Sequence, residues 1–349
     1  MKRMITACVV LSLTGLPVMA SAASNKVPDL SGTYDIATLT PLQRPEAFGD
    51  KLYMSPEEAK KVEERARAAM ADGQQDSDPN REAPPAGGDG SSGASGNVGG
   101  YNSFWIDNGE TAALVDGKFR TSIIHDPVNG RQPAMTPYGM SRAARFFAMF
   151  RPNEGEAWWY PGPGPWDNPE STTLSDRCLL GFSSTGGPPM LPALYNNLHR
   201  IVQTEDHVMI LSEMVHDARI VRMNSEHAPA DVRKWLGDSI GWWEGDTLVV
   251  DTTNFRDTPA LYLAGEDLHV VERFRKLDDH TLLYGFTVKD SKVWTTSFSG
   301  EYPWPRTEDR LFEYACHEGN IAMGNMLRGA RILEADKAAE KSGAAAGGQ

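Results

Sequence analysis

From about His199 onward, short runs of alternating apolar and polar residues follow one another, separated by turn residues, and no other feature constrains the fold as strongly. Alternation of period two marks a half-buried strand, because successive side chains leave opposite faces of the backbone. Arg200–Thr204 and His207–Val215 join across Glu205-Asp206, and Arg219–Met223 follows, with a short helix expected near Ala230–Leu236. Gly241–Glu244 and Thr247–Phe255 flank Gly245-Asp246, a hairpin signal. Leu268–Lys276 and Thr281–Lys289 flank Leu277 to His280, and Trp294–Tyr302 and Arg310–Cys316 close the series.

Roughly nine antiparallel strands in meander order predict a mainly β fold. Short turns favour a sheet that curls and closes into a lipocalin-like β-barrel, with a loop-rich N-terminal part over one mouth; a β-sandwich is the alternative. The alternation puts Leu282, Tyr284, Phe286 and Val288 on one face, and places Glu272 with Leu268, Val270 and Phe274. It also places Glu213 and Asp217 with Met209, Leu211 and Val215, opposite His216. Carboxylates on apolar faces suit either a polar-lined cavity or strand ends reaching solvent.

The N-terminus reads as a signal peptide over residues 1–22: basic Lys2 and Arg3, an apolar stretch Ile5–Met19, and the small residues Ala20-Ser21-Ala22. Cleavage near Ala22 predicts a periplasmic or secreted protein, and no later stretch is long and apolar enough to span a bilayer. Residues 23–71 then hold an opening strand, Asp29–Tyr34, and a surface helix. Ser55 is the N-cap of that helix, Pro56 its first residue and Glu58 the capping-box acid. Residues 72–100 are rich in Gly, Ser, Pro and Asp and predict a disordered loop. A β-rich ligand or catalytic domain follows over 101–334, with a short helix at Ser141–Met149, and an Ala/Gly/Lys-rich loose tail over 335–349.

Loss of Lys2 and Arg3 takes the formal net charge from −13 to about −15. An acidic chain without a basic cluster argues against nucleic acid as a partner and leaves a small-molecule ligand or substrate. Two cysteines remain in the mature chain, Cys178 and Cys316, and in an oxidising compartment such a pair predicts a disulfide; two buried free thiols are the alternative.

Two dense polar segments carry the candidate chemistry: Glu213-Met214-Val215-His216-Asp217-Ala218-Arg219 and Tyr314-Ala315-Cys316-His317-Glu318-Gly319-Asn320. A histidine beside a carboxylate is the usual acid–base pair, so His216, Asp217, His317, Glu318 and Glu213 are the candidate catalytic residues. Arg219 could clamp an anion, with His269 and Tyr314 as further walls of a pocket. The competing reading of Arg219 is a salt-bridge cluster with Asp217 or Glu213. Tyr101, Asn102, Asn196 and Asn197 suit the stacking and hydrogen bonding of a sugar or flat organic ligand, or else loop packing. Ser239 in Gly-Asp-Ser-Ile-Gly lacks the strand–turn–helix context of a nucleophile elbow, and Ile321 stands where a zinc-protease helix needs its second histidine. No nucleotide or haem motif is present and no cofactor is expected. A divalent metal on His216, Asp217, His317 and Glu318 is the one exception the chemistry admits.

These segments, with Asp176-Arg177-Cys178, Tyr195-Asn196-Asn197, Gly237-Asp238-Ser239 and the run Trp243 to Phe255 (WEGDTLVVDTTNF), resemble a large family of exported bacterial proteins of uncharacterised function. The resemblance covers about residues 28–333 and implies export and a shared fold. Function itself divides into three readings: an acid–base enzyme for a small organic or glycosidic substrate, a barrel that binds such a ligand without turnover, or an envelope interaction protein. Close approach of the two polar segments separates the first reading from the others.

Overall fold

The computed structural model describes residues 27–74, 106–147, 168–181 and 183–346. The expected signal peptide, most of the expected 72–100 loop, and Tyr101 and Asn102 lie outside them. Thirteen strands are numbered in chain order among the described residues. A small sheet holds β2 (Tyr53–Met54), β4 (Lys118–Arg120) and β3 (Leu114–Val115), in that order. The main sheet holds β1 (Gly32–Asp35), β5 (Ile124–Asp126), β6 (Leu198–Gln203), β7 (His207–Ser212), β8 (Ala218–Met223) and β9 (Asp238–Glu244). Its remaining strands are β10 (Thr247–Thr253), β11 (His269–Lys276), β12 (Thr281–Lys289) and β13 (Phe298–Pro305).

The main sheet runs β1-β6-β7-β8-β9-β10-β11-β12-β13-β5, so strands from the N-terminal part cap both edges of the C-terminal series. It is one sheet curled into a half-barrel, not a two-sheet sandwich. The curl brings the end of β13 back to β1, where Tyr34 bridges Arg306 and Thr307 N–H donates to Thr33 O at 3.0 Å. The meander expectation needs one correction: β8 and β9 pair in parallel, Val221 opposite Ser239. A parallel neighbour requires a crossover instead of a tight turn, and residues 224–237 supply it without the helix expected at Ala230–Leu236.

The predicted alternation holds where strands are long. Leu282, Tyr284, Phe286 and Val288 are buried on the inner face of β12, and Phe298, Tyr302 and Trp304 oppose them from β13. Tyr284 stacks on Trp304 with ring centroids 4.5 Å apart, and Phe274 meets both rings. Each fully buried ring of this size contributes about 2–3 kcal/mol by area removed from water, so these aromatics fill the curl and hold it.

Glu272 lies on that face as expected, fully buried, and its partner is Arg219 from β8, three strand spacings away. That separation is about 14 Å along a flat sheet. Two side chains close it because the sheet curls. The guanidinium of Arg219 donates to both Glu272 oxygens, Nη2 to Oε1 at 2.9 Å. Tyr284 Oη donates to Oε1 at 2.8 Å and accepts Met190 N–H at 2.8 Å, and Tyr302 Oη donates to Met190 O at 3.0 Å. Burial opposes the charge on Arg219, but the adjacent Glu272 outweighs it and keeps the guanidinium charged.

Helix α1 (Pro56–Gly73) starts where predicted, with both arms of the capping box made: Ser55 Oγ accepts Glu58 N–H at 3.2 Å and Glu58 Oε2 accepts Ser55 N–H at 2.6 Å. It continues to Gly73, two residues into the segment expected to be loop. Helix α2 is Pro137–Phe147. The segment 307–315 has no strand, contrary to the one expected at Arg310–Cys316; a short helix α3 (Cys316–Gly319) follows it. Helix α4 (Ile321–Ala346) then runs through most of the tail expected to be loose. Its Ala-, Lys- and Glu-rich composition favours a helix even where most side chains face solvent.

Candidate functional site

Strand β7 stops at Ser212, three residues before the end expected at Val215. Glu213 turns into the right-handed helical region, and Val215 (φ 60°) and His216 (φ 53°) are left-handed. A left-handed backbone costs of order 1–3 kcal/mol at a non-glycine residue, most at a β-branched one such as Val215. This strained turn is held from both sides. Glu213 Oε1 accepts Phe312 N–H at 2.9 Å, and His216 Nε2 accepts Tyr314 N–H at 2.9 Å. Both donors belong to the segment 307–315, here called the arm, which lacks strand partners and uses these side chains instead. The two polar segments therefore do meet.

Beside this junction lies an open cleft of about 750 Å3, lined by the end of β1, the loop before β6, Glu213 and the arm. Its ionisable groups are Asp35, Asp107, Glu213, Glu308, Asp309 and Arg310, with Asn196, Asn197 and Phe312 beside them. Burial pushes the Asp35 carboxyl up to about 6, against the Ala37 N–H it accepts, and the carboxylates Asp107, Asp309 and Glu213 push the same way. Asn197 is buried and fully used: Oδ1 accepts Ala193 N–H at 2.8 Å, and Nδ2 donates to Asp107 O at 2.9 Å and Ala193 O at 3.0 Å. It thus fixes the Asp107 wall, and Asn196 (φ 56°) turns the chain beside it.

Asp217 points away from the arm into the loop 181–190. Gly181 N–H is its hydrogen-bond donor, while Oδ2 is buried without a partner. It packs against Gly186, where a Cβ would come within 2.7 Å of Oδ2. Burial pushes Asp217 up to about 7. Because the ordinary value is 3.8, its ionisation opposes folding increasingly as pH rises from about 4, and fully above about 7. Asp217→Asn keeps the shape without the charge. It should raise stability by about 2–4 kcal/mol at pH 8 and by almost nothing at pH 4, as read by urea denaturation at both pH values. An equal effect at the two pH values would mean that the carboxyl is solvated.

Arg219 is not at the cleft; its guanidinium is held by Glu272 inside the sheet, so the ligand-clamp expectation is corrected. His317 and Glu318 are exposed on α3 and do not line the cleft, and Tyr314 contributes its backbone N–H to the junction. Cys178 and Cys316 are joined as a disulfide, Cα atoms 5.8 Å apart, which ties the far end of the arm to the 170s loop. Asn320 reinforces that tie by donating to Asp176 O at 2.7 Å. Among the described residues, no group of three His, Cys, Asp or Glu side chains is arranged to hold a metal ion.

His269 lies on the outer face of β11, where its Nε2 is 2.9 Å from Asp251 Oδ1; the same oxygen is 3.3 Å from His227 Nε2. His227 Nδ1 is in turn 3.2 Å from Asp238 Oδ2, which also receives Arg222 and Ala228 N–H. Lys234 binds the other oxygen. Burial would raise Asp238, but Lys234, Ala228 and His227 bring it down to about 2. This network closes the 224–237 crossover onto β9 and β10. Ser239 is buried, with Oγ 2.9 Å from Thr252 Oγ1.

Sequence reading missed Asp35, Asp107, Glu308, Asp309 and Arg310. Asp35 directly follows the predicted opening strand, but no local signal marks it, because its environment is made by chain more than 70 residues away. His199 is fully buried; burial brings it down to about 4, and Nε2 lies 2.9 Å from Thr185 O. Searches against family models, curated proteins and solved structures find no match, so the chemistry of the cleft stands on its own geometry.

Proposed function

We propose that this chain is an exported enzyme that performs acid–base chemistry, without a redox cofactor, on a small organic or glycosidic substrate bound in the acidic cleft. The observation that carries this reading is Asp35, a carboxyl held up to about 6 in a cleft whose other carboxylates include Glu213. Two carboxyl groups in different environments can divide the roles. Asp35, protonated in mildly acidic solution, donates to a leaving oxygen, and Glu213 accepts a proton from the attacking water or from the substrate. Asn196, Arg310 and Phe312 offer hydrogen bonds, an anion partner and an apolar face to a sugar or similar ligand. The curl, with its ends touching at Tyr34 and Arg306, is read as an incompletely closed lipocalin-like barrel. The basic and apolar N-terminal stretch and the disulfide support export, and the motif runs support kinship with the exported family they resemble.

A panel of aryl glycosides, aryl esters and uronides tests the reading. Turnover should fall as pH rises through about 6, because the acid form of Asp35 is lost there. Asp35→Asn should lower kcat/KM by about 10²–10⁴-fold. Full activity in that variant would remove Asp35 from the chemistry. One observation favours a second reading: five carboxylates against one arginine suit a cationic or hydroxyl-rich ligand held without turnover. Calorimetric binding with no product formed would select it.

A further inference from the structure

We propose that a second cavity, beside the acidic cleft and separate from it, binds an uncharged, mainly aliphatic molecule that carries one hydroxyl or carbonyl group. The site is independent of any chemistry in the cleft. The cavity measures about 760 Å3, close to the cleft in size. That lies within the range of roughly 300–1,000 Å3 that holds small-molecule ligands. Its walls come from residues 38–42, 183–184, 191–194 and 261–263, with Asn108 and Gln132. Asn108 lines it while the neighbouring Asp107 lines the cleft, so at that point a single stretch of backbone divides the two. Charge sets them apart. Among the described residues, no Asp, Glu, Lys, Arg or His lines this cavity, in a chain whose formal net charge is −13. A charged ligand would lose its hydration there and gain no counter-ion. Leu39, Leu42, Leu191, Leu194, Leu261 and Leu263 supply the apolar surface instead. Leu191 and Leu261 are buried members of the hydrophobic core, whereas Leu194 and Tyr262 are about half exposed and mark the mouth.

The polar groups of the lining narrow the ligand further. Thr40 Oγ1 accepts Ala113 N–H at 2.8 Å and donates to Arg120 O, and Thr38 Oγ1 donates to Thr111 O at 3.3 Å. Ser184 Oγ donates to Pro189 O, and Ser183 Oγ is 3.1 Å from Thr185 Oγ1. These hydroxyls are engaged within the protein. The side-chain amides of Asn108 and Gln132 have no hydrogen-bond partner among the described residues. Tyr262 Oη accepts Ser183 N–H at 2.8 Å and keeps its own proton to donate. That set serves one hydroxyl or carbonyl at the mouth and falls short of the many hydrogen bonds a sugar ring needs. Backbone conformation points the same way. Ser183 (φ 65°) and Leu263 (φ 70°) are both left-handed, and the bond from Ser183 to Tyr262 ties their two loops together. Such a backbone is costly at a residue as bulky as Leu263, and strained residues of this kind gather where loops are held in place for a ligand.

Fluorescence titration of the full chain, disulfide intact, with N-phenyl-1-naphthylamine tests the site, because this uncharged apolar dye brightens when it leaves water. The dye should bind saturably. Decanol should displace it about tenfold more tightly than decanoate or decylammonium, which share its chain length but carry a charge. Leu194→Glu alters a wall residue exposed enough for the fold to tolerate it. It should weaken dye and decanol about tenfold and make decylammonium the better competitor, since the new carboxylate supplies a counter-ion. Leu263→Gly should weaken the dye about threefold while the melting temperature stays within about 5 °C, because glycine takes the left-handed turn without strain. No saturable binding, equal displacement by the three competitors, or indifference to both Leu194→Glu and Leu263→Gly overturns the proposal.

Discussion

Glu272→Gln should cost about 3–5 kcal/mol of stability, although it changes one atom type and no volume. The reason is the charge left behind. Arg219 is buried and has Glu272 as its counter-ion; a neutral amide leaves a guanidinium buried without that charge, near stacked aromatic rings. The Tyr284 hydroxyl loses its charged acceptor at the same time. Urea denaturation at pH 7 reads the cost, with the slope m checked for constancy. Replacing both partners, as in Arg219→Met with Glu272→Leu, should recover most of the loss, because the pair offsets its own desolvation more than it adds net stability. A single-variant cost below about 1 kcal/mol would mean that water reaches the guanidinium and that the curl is looser than the packing of Tyr284 and Trp304 indicates.

Cys316→Ser, or reduction, should cost about 3–5 kcal/mol by a different route. Cys178 and Cys316 are 138 residues apart, so the disulfide removes much of the freedom of the unfolded chain. In the folded chain it anchors the arm next to α3. Thermal unfolding with and without reductant measures the total, and hydrogen exchange in the arm separates the local part from the global one. A melting temperature indifferent to reductant would show that neither contribution is large. The prediction also ties stability to compartment, since the bond persists where thiols are oxidised.

The strands were legible because alternation of period two is a local property. Thr281–Lys289 was read with its true bounds, and the capping residues Ser55, Pro56 and Glu58 placed the start of α1 correctly. Turns written in side-chain chemistry were legible for the same reason. The parallel β8–β9 pair was not, because nothing in either strand states which neighbour it takes. The end of β7 was misplaced because Glu213 to Arg219 continues an alternation that the backbone abandons, and two left-handed residues, neither of them glycine, give no local signal. Arg219 was read beside its sequence neighbours Asp217 and Glu213. Its partner Glu272 lies 53 residues on, on the apolar face of another strand.

The sequence by itself determined that this chain is mainly β, predicted the Cys178–Cys316 pair, and marked Glu213–Arg219 and Tyr314–Asn320 as unusually polar segments. These rest on alternation, on the two cysteines left in the expected mature chain, and on polar groups that are costly to bury. Only the tertiary structure decided which of the polar residues share a site. Curling the sheet brings the end of β1 to the arm, which buries Asp35 and sets it among Asp107, Asp309 and Glu213; burial first, and those carboxylates second, raise its carboxyl. The same curl buries Arg219 on Glu272 and leaves His317 and Glu318 in solvent. Electrostatic environment is set by neighbours in space, and in a sheet those neighbours come from whichever strands the curl brings together.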